Sequence, residues 1–286
     1  MDLPKSSDLR AVAIVPCRSL SEAEYSNFIK ANERIFDNII FSTQQEASWS
    51  TEGITGVSSI LSFPYQTGIS AARNRGIESI SSSRTVFFFP NLSSRFVPDY
   101  VAHVLKLFSA DSSMGAISGD YFFEGQTRNS HATGLLQGHS LFLAYEPTIA
   151  ISGEALKSHA LEFDEDLGTG NSKSKRWSGE GAELLFRLSR CGFKVIYLNK
   201  TASHDYRKSA SHSISIDYKY GRGYLHVTRL ISGNLHATYR ALMTFNKLLP
   251  TKRIQTNRSF KPLNAFAFIF GVWSELLSTQ NRMSKS

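Results

Sequence analysis

Gly68-Ile-Ser-Ala-Ala-Arg-Asn-Arg-Gly76, followed by Thr85-Val-Phe-Phe-Phe-Pro90, decides how this chain folds. Gly68 opens a turn, and Ser70–Ile80 reads as a helix rich in Ala and Arg. Val86–Phe89 is an apolar run of strand length, and Pro90 stops it because proline gives the ladder no N–H. Turn, helix and strand follow one another with few residues between them. That is the second half of a β-α-β unit.

Working outward, the same alternation recurs. Val12–Val15 is a β-branched run ending at Pro16, the mark of a buried first strand. Ser21 with Glu24 three residues on is a capping box, so a helix should run from there to about Ile35. Asn38–Ser42 and Gly56–Phe63, the latter closed by Pro64, read as two further strands. Val97–Ser109 has helical period with Pro98 in its first turn. Gly168–Ser178 is a loop of Gly, Ser and Lys, built to move beside a site. Glu183–Arg190 predicts another helix, ended by Gly192, and Lys194–Leu198 another strand. These elements predict an α/β domain with a mostly parallel central sheet flanked by helices, over residues 8–210. A basic, mainly helical extension follows over 211–286. In parallel sheets ligands bind beyond the carboxyl ends of the strands. Those ends are Pro16–Arg18, Ser42–Gln44, Pro64–Gly68 and Pro90–Ser94.

At 286 residues, 41% hydrophobic and 20% charged, the chain is an ordinary globular protein and not a disordered or fibrous one. Cys17 and Cys191 are its only cysteines, which excludes a disulfide framework or a Cys-rich zinc site. Cys17 reads as a small buried hydrophobe. The N-terminus is polar, Ala11–Pro16 is too short for a signal peptide, and Ala265–Trp273 is too short to span a bilayer. A cytoplasmic protein is expected, at most peripheral at the inner face of the cell membrane. Residues 187–286 hold 17 basic and 3 acidic side chains, against 15 and 21 in residues 1–186. The C-terminal part therefore either meets something anionic or carries a solvated basic face.

Five segments, in order, resemble family-2 glycosyltransferases of the GT-A fold, in particular a bacterial polysaccharide subgroup. Gly68–Gly76 resembles their G-x-S-x-A-R-N-x-G signature, and Phe89-Pro90 the start of F-P-D-D-D. Phe163-Asp-Glu-Asp-Leu-Gly168 resembles an F-D-E-x-L-G loop. Ser178-Gly-Glu180 with Glu183 and Arg187 resembles S-G-E-D-x-D/E-x-x-x-R, and Tyr220-Gly-Arg-Gly223 a Tyr-Gly-x-Gly element. The resemblance implies sugar transfer from a nucleotide-sugar donor to a glycan or lipid-linked glycan acceptor, usually with inversion. It places Arg73, Asn91, Ser93, Trp177 and His204 at the donor, with Asp164 and Glu165 on the acceptor side; Arg18, at the end of the first strand, joins the donor set, and Glu180, next to the family's base position, is the candidate catalytic residue. Such chemistry needs a cation or basic group for the departing diphosphate and a carboxylate for the acceptor's proton.

The chain departs from that pattern at three carboxylates. Asn91-Leu92-Ser93 stands where the aspartates that hold Mg²⁺ or Mn²⁺ belong, and neutral oxygens are weak ligands for a hard cation. Only His204 remains as a metal ligand, if there is one at all. Gly181 stands where the base belongs, and Ser42-Thr43-Gln44 lacks an aspartate for the nucleotide base. Two readings stay open. In one, Glu180 is the base while His204, Arg73 and the loop cations Lys173, Lys175 and Arg176 neutralise the diphosphate without metal. In the other the fold is a non-catalytic binding or partner protein, with Glu180 a scaffold. Arg73 and Asn74 serve a phosphate or a neighbouring loop, and Trp177 stacks on sugar or simply packs. Asp164-Glu165-Asp166 is literally a D-x-D, but it falls in the acceptor-side loop.

Beyond Gly223 come Arg229, Arg240, Lys247, Lys252, Arg253, Arg258 and Lys261, then the aromatic stretch Phe260–Trp273. This pattern suits a helix lying on an anionic membrane surface, or one packed on the domain. Nucleic acid is not expected, because the aromatics cluster and do not interleave with the cations. No P-loop or Rossmann glycine fingerprint is present.

Overall fold

The computed structural model describes residues 8–44, 58–62, 67–123, 126–128, 130–205, 214–248 and 267–275. Pro64, the cations from Lys252 to Lys261 and the start of the aromatic stretch lie outside the described residues; so do the side chains of Arg240 and Lys247.

One mixed sheet forms the centre. β1 (Arg10–Cys17) pairs in parallel with β2 (Asn38–Thr43) on one side and β4 (Thr85–Phe88) on the other. β3 (Ser58–Ser62) extends this parallel half beyond β2. The parallel expectation holds here and again where β6 (Met114–Phe123) meets β10 (Lys194–Asp205). Between the halves, β9 (Ala150–Ser152) runs antiparallel to both β4 and β6. β5 (Ser94–Phe96), β7 (Gln126–Arg128) and β8 (Gly134–Leu135) add short antiparallel pairings. The sheet order is β3-β2-β1-β4-β9-β6-β10-β5.

The helices cover both faces. α1 (Glu22–Asn32) carries the expected capping box, Ser21 and Glu24 each bonding the other's backbone N–H. α2 (Ile69–Glu78) starts from Gly68, whose φ of 97° only glycine adopts cheaply. Its Gly76 lies so close to β1 that a Cβ there would stand 2.5 Å from Ile14. α3 (Pro98–Ala110) begins with proline in its first turn, and α4 (Gly153–Ser158) follows β9. α5 (Glu180–Arg190) starts three residues earlier than the apolar period indicates, so Glu180 belongs to its first turn. One core joins α1 and α3 to the sheet around Phe41, Phe88 and Val104; the other joins α4 and α5 around Phe87, Ile151 and Leu185.

The extension does not stand apart. α6 (Ile214–Leu248), kinked at Gly233, lies against the start of α5. Trp177 N–H donates to Lys219 O (3.1 Å) and Ser178 Oγ to Tyr220 O (2.8 Å). In the Tyr220-Gly-Arg-Gly223 element each glycine faces a different neighbour. A Cβ at Gly223 would lie 2.5 Å from Ser178 O, and one at Gly221 2.0 Å from Phe268 O.

Phe268 belongs to a helix over 267–275, whose Gly271 would in turn set a Cβ 1.9 Å from Tyr218 O. The two helices therefore cross glycine to backbone. Glu275, 1% exposed, seals the crossing. Its Oε1 accepts from Arg176 Nη2 (2.7 Å) and its Oε2 from Arg222 Nη2 (2.6 Å), while Arg229 Nη1 reaches its carbonyl (3.0 Å). Burial pushes the Glu275 carboxyl up, but the hydrogen bonds from Arg176 and Arg222 outweigh it and hold it below the usual range. Packing on the domain thus accounts for Ala267 and Val272, while Phe270 (68% exposed) and Trp273 (37%) face outward. Among the described residues no helix is long and apolar enough to cross a membrane.

Gly271→Val should force the two helices apart. Overpacking of this kind costs about 1–3 kcal/mol, to be read from urea denaturation, with earlier proteolytic release of the tail. Unchanged stability would show that the crossing carries no weight.

Candidate active site

A cleft of about 1070 Å³ opens at the carboxyl ends of β1, β2 and β4. Pro16, Cys17 and Arg18 come from the end of β1, Gln44 from that of β2, and Asn91 and Leu92 from beyond β4. The facing wall is built from the first turn of α2, the loop Thr169–Ser178, Glu180, the turn Tyr145-Glu146-Pro147, and Lys219 and Tyr220 of α6. The ends of three parallel strands leave such a crevice because their connecting helices diverge to opposite faces.

The Gly68–Gly76 segment serves this wall from behind. Ser70 Oγ donates to Leu167 O (2.8 Å). Asn74 clamps Phe163, giving Nδ2–H to its carbonyl (2.9 Å) and taking its N–H on Oδ1 (2.8 Å). Arg73, 2% exposed, lies 5.0 Å from the Phe163 ring centroid and 5.9 Å from that of Phe89, and pairs with Glu180 Oε1 at 3.3 Å. The open choice between a phosphate and a neighbouring loop is answered for Asn74: it holds the Phe163–Gly168 loop. Arg73 reaches the cleft but spends its charge on Glu180.

Glu180 is 7% exposed, and its carboxyl is pushed up to about 7, chiefly by burial and next by the charge of Glu146, with Arg73 pulling the other way. Tyr220, half-buried nearby, is raised by burial and then by the Glu180 and Glu146 charges. Sequence reasoning missed Glu146. It lies in the cleft beside Gly181, where an added Cβ would stand 2.7 Å from Glu146 Cγ and 3.0 Å from its Oε1. The position without a side chain is thus filled by a carboxylate from another part of the chain.

The other predicted residues divide. Arg18, Arg73, Asn91, Trp177 and Glu180 all line the cleft. Ser93, His204, Asp164 and Glu165 are not among its lining residues. The His204 ring packs on Phe122 at 4.9 Å, and strand alternation turns the next residue, Asp205, to the other face. Asp205 accepts from Ser93 Oγ (2.6 Å) and from Tyr121 OH. Glu165 accepts from Asn74 (3.2 Å), and Asp164 Oδ1 from the Asp166 N–H (2.9 Å), so both shape the loop. Trp177 gives its indole N–H to Asn171 O and Ser174 O, and Lys219 Nζ covers its ring at 3.9 Å. That face is taken by a cation and not open to a sugar. Arg176 turns to Glu275, and Lys173 and Lys175 are absent from the lining, so among the described residues the cations in the cleft are Arg18, Arg73 and Lys219.

The loop Gly168–Ser178 is tied down at several points. Ile69 N–H donates to Thr169 O, Gly168 N–H to Arg176 O, and Asn171 Oδ1 accepts from the Lys173 and Ser174 N–H groups.

The residues at the β4 end do not fit a divalent cation. Asn91 is neutral, and both oxygens of the neighbouring carboxylate, Asp205, hold hydroxyl donors. Among the described residues no group of three or more His, Cys, Asp or Glu side chains could hold a metal.

No family model and no curated protein matches the chain. Solved structures do. TarS 1-349 of S. aureus in complex with UDP-GlcNAc aligns over 94% of this chain and 73% of its own, with TM-score 0.55 and 10% identity. GalNAc-T7 with UDP, GalNAc and Mn²⁺ aligns with TM-score 0.59 and 12% identity over 97% of this chain, which spans 57% of that protein. The Pyrobaculum calidifontis mannosyltransferase PcManGT, in complex with GDP-Man and Mn²⁺, covers 96% and 89% with TM-score 0.57 and 10% identity. The fold is GT-A-like.

The Glu180 carboxyl, raised from an ordinary 4.5 to about 7, keeps a proton in the folded protein that the unfolded chain gives up. Its contribution to stability is complete below about 4.5 and lost as pH rises through about 7. Arg73→Met removes the opposite charge and should raise that carboxyl further. Stability at pH 8 should fall by about 3–5 kcal/mol, as for other broken buried pairs. The deficit should shrink toward pH 5, where Glu180 is protonated. Denaturation curves at the two pH values check this, and a deficit independent of pH would refute it.

Proposed function

We propose that this chain is a family-2-type glycosyltransferase of bacterial type. It moves a sugar from a nucleotide-sugar donor to a glycan or lipid-linked glycan in surface polysaccharide synthesis, with inversion and without a metal. The observation that carries this reading is the pairing of cations and carboxylates across one cleft at the strand ends. Arg18 and Lys219 offer positive charge to the departing diphosphate, and Glu146 and Glu180 offer a proton acceptor to the attacking hydroxyl. Attack opposite the leaving diphosphate inverts the anomeric centre. The structural neighbours determined with UDP-GlcNAc, UDP and GDP-Man support the donor class.

A second reading is favoured by the engaged state of several polar groups. Glu180 is ion-paired and Asp205 is doubly bonded, as in a protein that binds a glycan, a nucleotide or a partner transferase without turnover. A titration with UDP, GDP, CDP and dTDP compounds, with Mn²⁺ and with EDTA, separates the two. The transferase reading expects a metal-independent rise in melting temperature with one nucleotide, and turnover of its sugar that survives EDTA. Full loss on chelation, restored by Mn²⁺, would overturn the metal-free mechanism; silence across the panel would favour the binding protein.

The outward Phe270 and Trp273, on a strongly basic extension, support contact with an anionic membrane surface near a lipid-linked acceptor. Replacing both by serine should weaken binding to phosphatidylglycerol vesicles while leaving the melting temperature in place. Vesicle binding equal to wild type would leave the helix with its packing role alone.

A further inference from the structure

The geometry points to Glu146 as the group that takes the acceptor's proton, with Glu180 a positioning residue held by Arg73; this assignment rests on the transferase reading above. Among the described residues, three carboxylates line the cleft: Glu24, Glu146 and Glu180. Glu24 is spent on the start of α1, where it accepts from Ser21 N–H (3.0 Å) and Ser21 Oγ (2.7 Å). The Glu180 side chain is 9% exposed and tied to a guanidinium that itself packs against the rings of Phe89 and Phe163. Glu146 is half-buried, and among the described residues no hydrogen-bond donor engages its carboxylate.

Its backbone is nevertheless fixed. Glu146 opens a 3₁₀ turn with Pro147 next in line, closed by Thr148 N–H to Tyr145 O (2.8 Å) and Ile149 N–H to Glu146 O (3.1 Å). The side chain then crosses the bare first turn of α5, its Oε1 3.0 Å from where a Cβ of residue 181 would stand. The first turn of a helix presents partial positive charge to such a group, and the carboxylate reaches it from outside α5. The absence of a side chain at Gly181 is what lets it lie there.

In the step, the acceptor O–H bond breaks and its proton passes to the Glu146 carboxylate. The acceptor oxygen forms the new bond to the anomeric carbon, and the bond from that carbon to the diphosphate oxygen breaks, its electron pair leaving with the nucleoside diphosphate.

The test compares full-length wild type, Glu146→Gln, Glu146→Ala and Glu146→Ala/Gly181→Asp. Nucleoside diphosphate release from UDP-GlcNAc, UDP-glucose, GDP-mannose and a dTDP-sugar is measured alongside nucleotide affinity and melting temperature. Glu146→Gln, nearly isosteric, should lose roughly 10²–10⁴-fold in turnover with nucleotide affinity unchanged. The double variant puts an aspartate into the space that Glu146 vacates, and should recover at least about tenfold over Glu146→Ala, a gain that a merely structural role does not provide. Wild-type turnover in Glu146→Gln overturns the assignment and leaves the transferase reading standing. Loss of nucleotide affinity in parallel with turnover overturns it too, by making Glu146 a binding residue. A wild type that neither binds nor turns over any of these donors removes the transferase reading and this assignment with it.

Discussion

A charge buried against a pair of packed phenyl rings is the constraint around which the cleft is built. Arg73 cannot be hydrated where it lies, so it needs a carboxylate, and Glu180 is placed to supply one. That single requirement fixes the distance between α2 and α5, and with it the space between the strand ends and the facing wall. Phe163 must stay in place to cover the guanidinium, which explains why Asn74 grips both of its backbone groups. The segment Gly68–Gly76 is therefore the keystone of the far wall more than a ligand site in its own right.

Much of this was legible in the residues. The capping box at Ser21 and the alternation up to Ala110 depend on local chemistry, and the structure repeats them, although β1 runs on through Pro16 to Cys17 where the sequence predicts its end. β5, β7, β8 and β9 are two or three residues long, below the length at which alternation has meaning; they exist because a neighbouring strand offers an unpaired edge. β6 is different: it is ten residues long, but buried along almost all its length, so its Gly, Ser and Asp positions show no alternation. In the cleft, Asn91 and Glu180 followed from motif order, Arg18 from its place at a strand end and Trp177 from its place at the end of the loop before α5. Glu146 did not, since it comes from a turn outside every motif. The only local sign was Tyr145-Glu-Pro147, where proline fixes the backbone after an acidic residue. His204 and Asp205 show the opposite failure: motif order found the right strand, and a strand's two-residue period delivered the neighbour.

The cations of the cleft are drawn from distant parts of the chain. Arg18 follows the first strand and Lys219 belongs to α6, so the basic extension contributes to the facing wall of the cleft and not only to the protein's outer charge. Where a hard cation would find no fitting set of oxygens, fixed ammonium and guanidinium groups supply the positive potential. They differ from an ion in that they cannot dissociate.

Glu275 carries a temporal consequence. Arg176 sits on the loop over the cleft, yet its acidic partner lies 99 residues further along. On the ribosome the GT-A-like domain can collapse long before that partner has been made, and at roughly 5–20 residues per second the interval lasts several seconds. Throughout it Arg176 and Arg222 have no shared anion and the loop lacks its outer anchor. The order of synthesis thus makes the cleft's rim one of the last parts of the nascent protein to settle, and a chain released early would expose a basic, half-assembled edge.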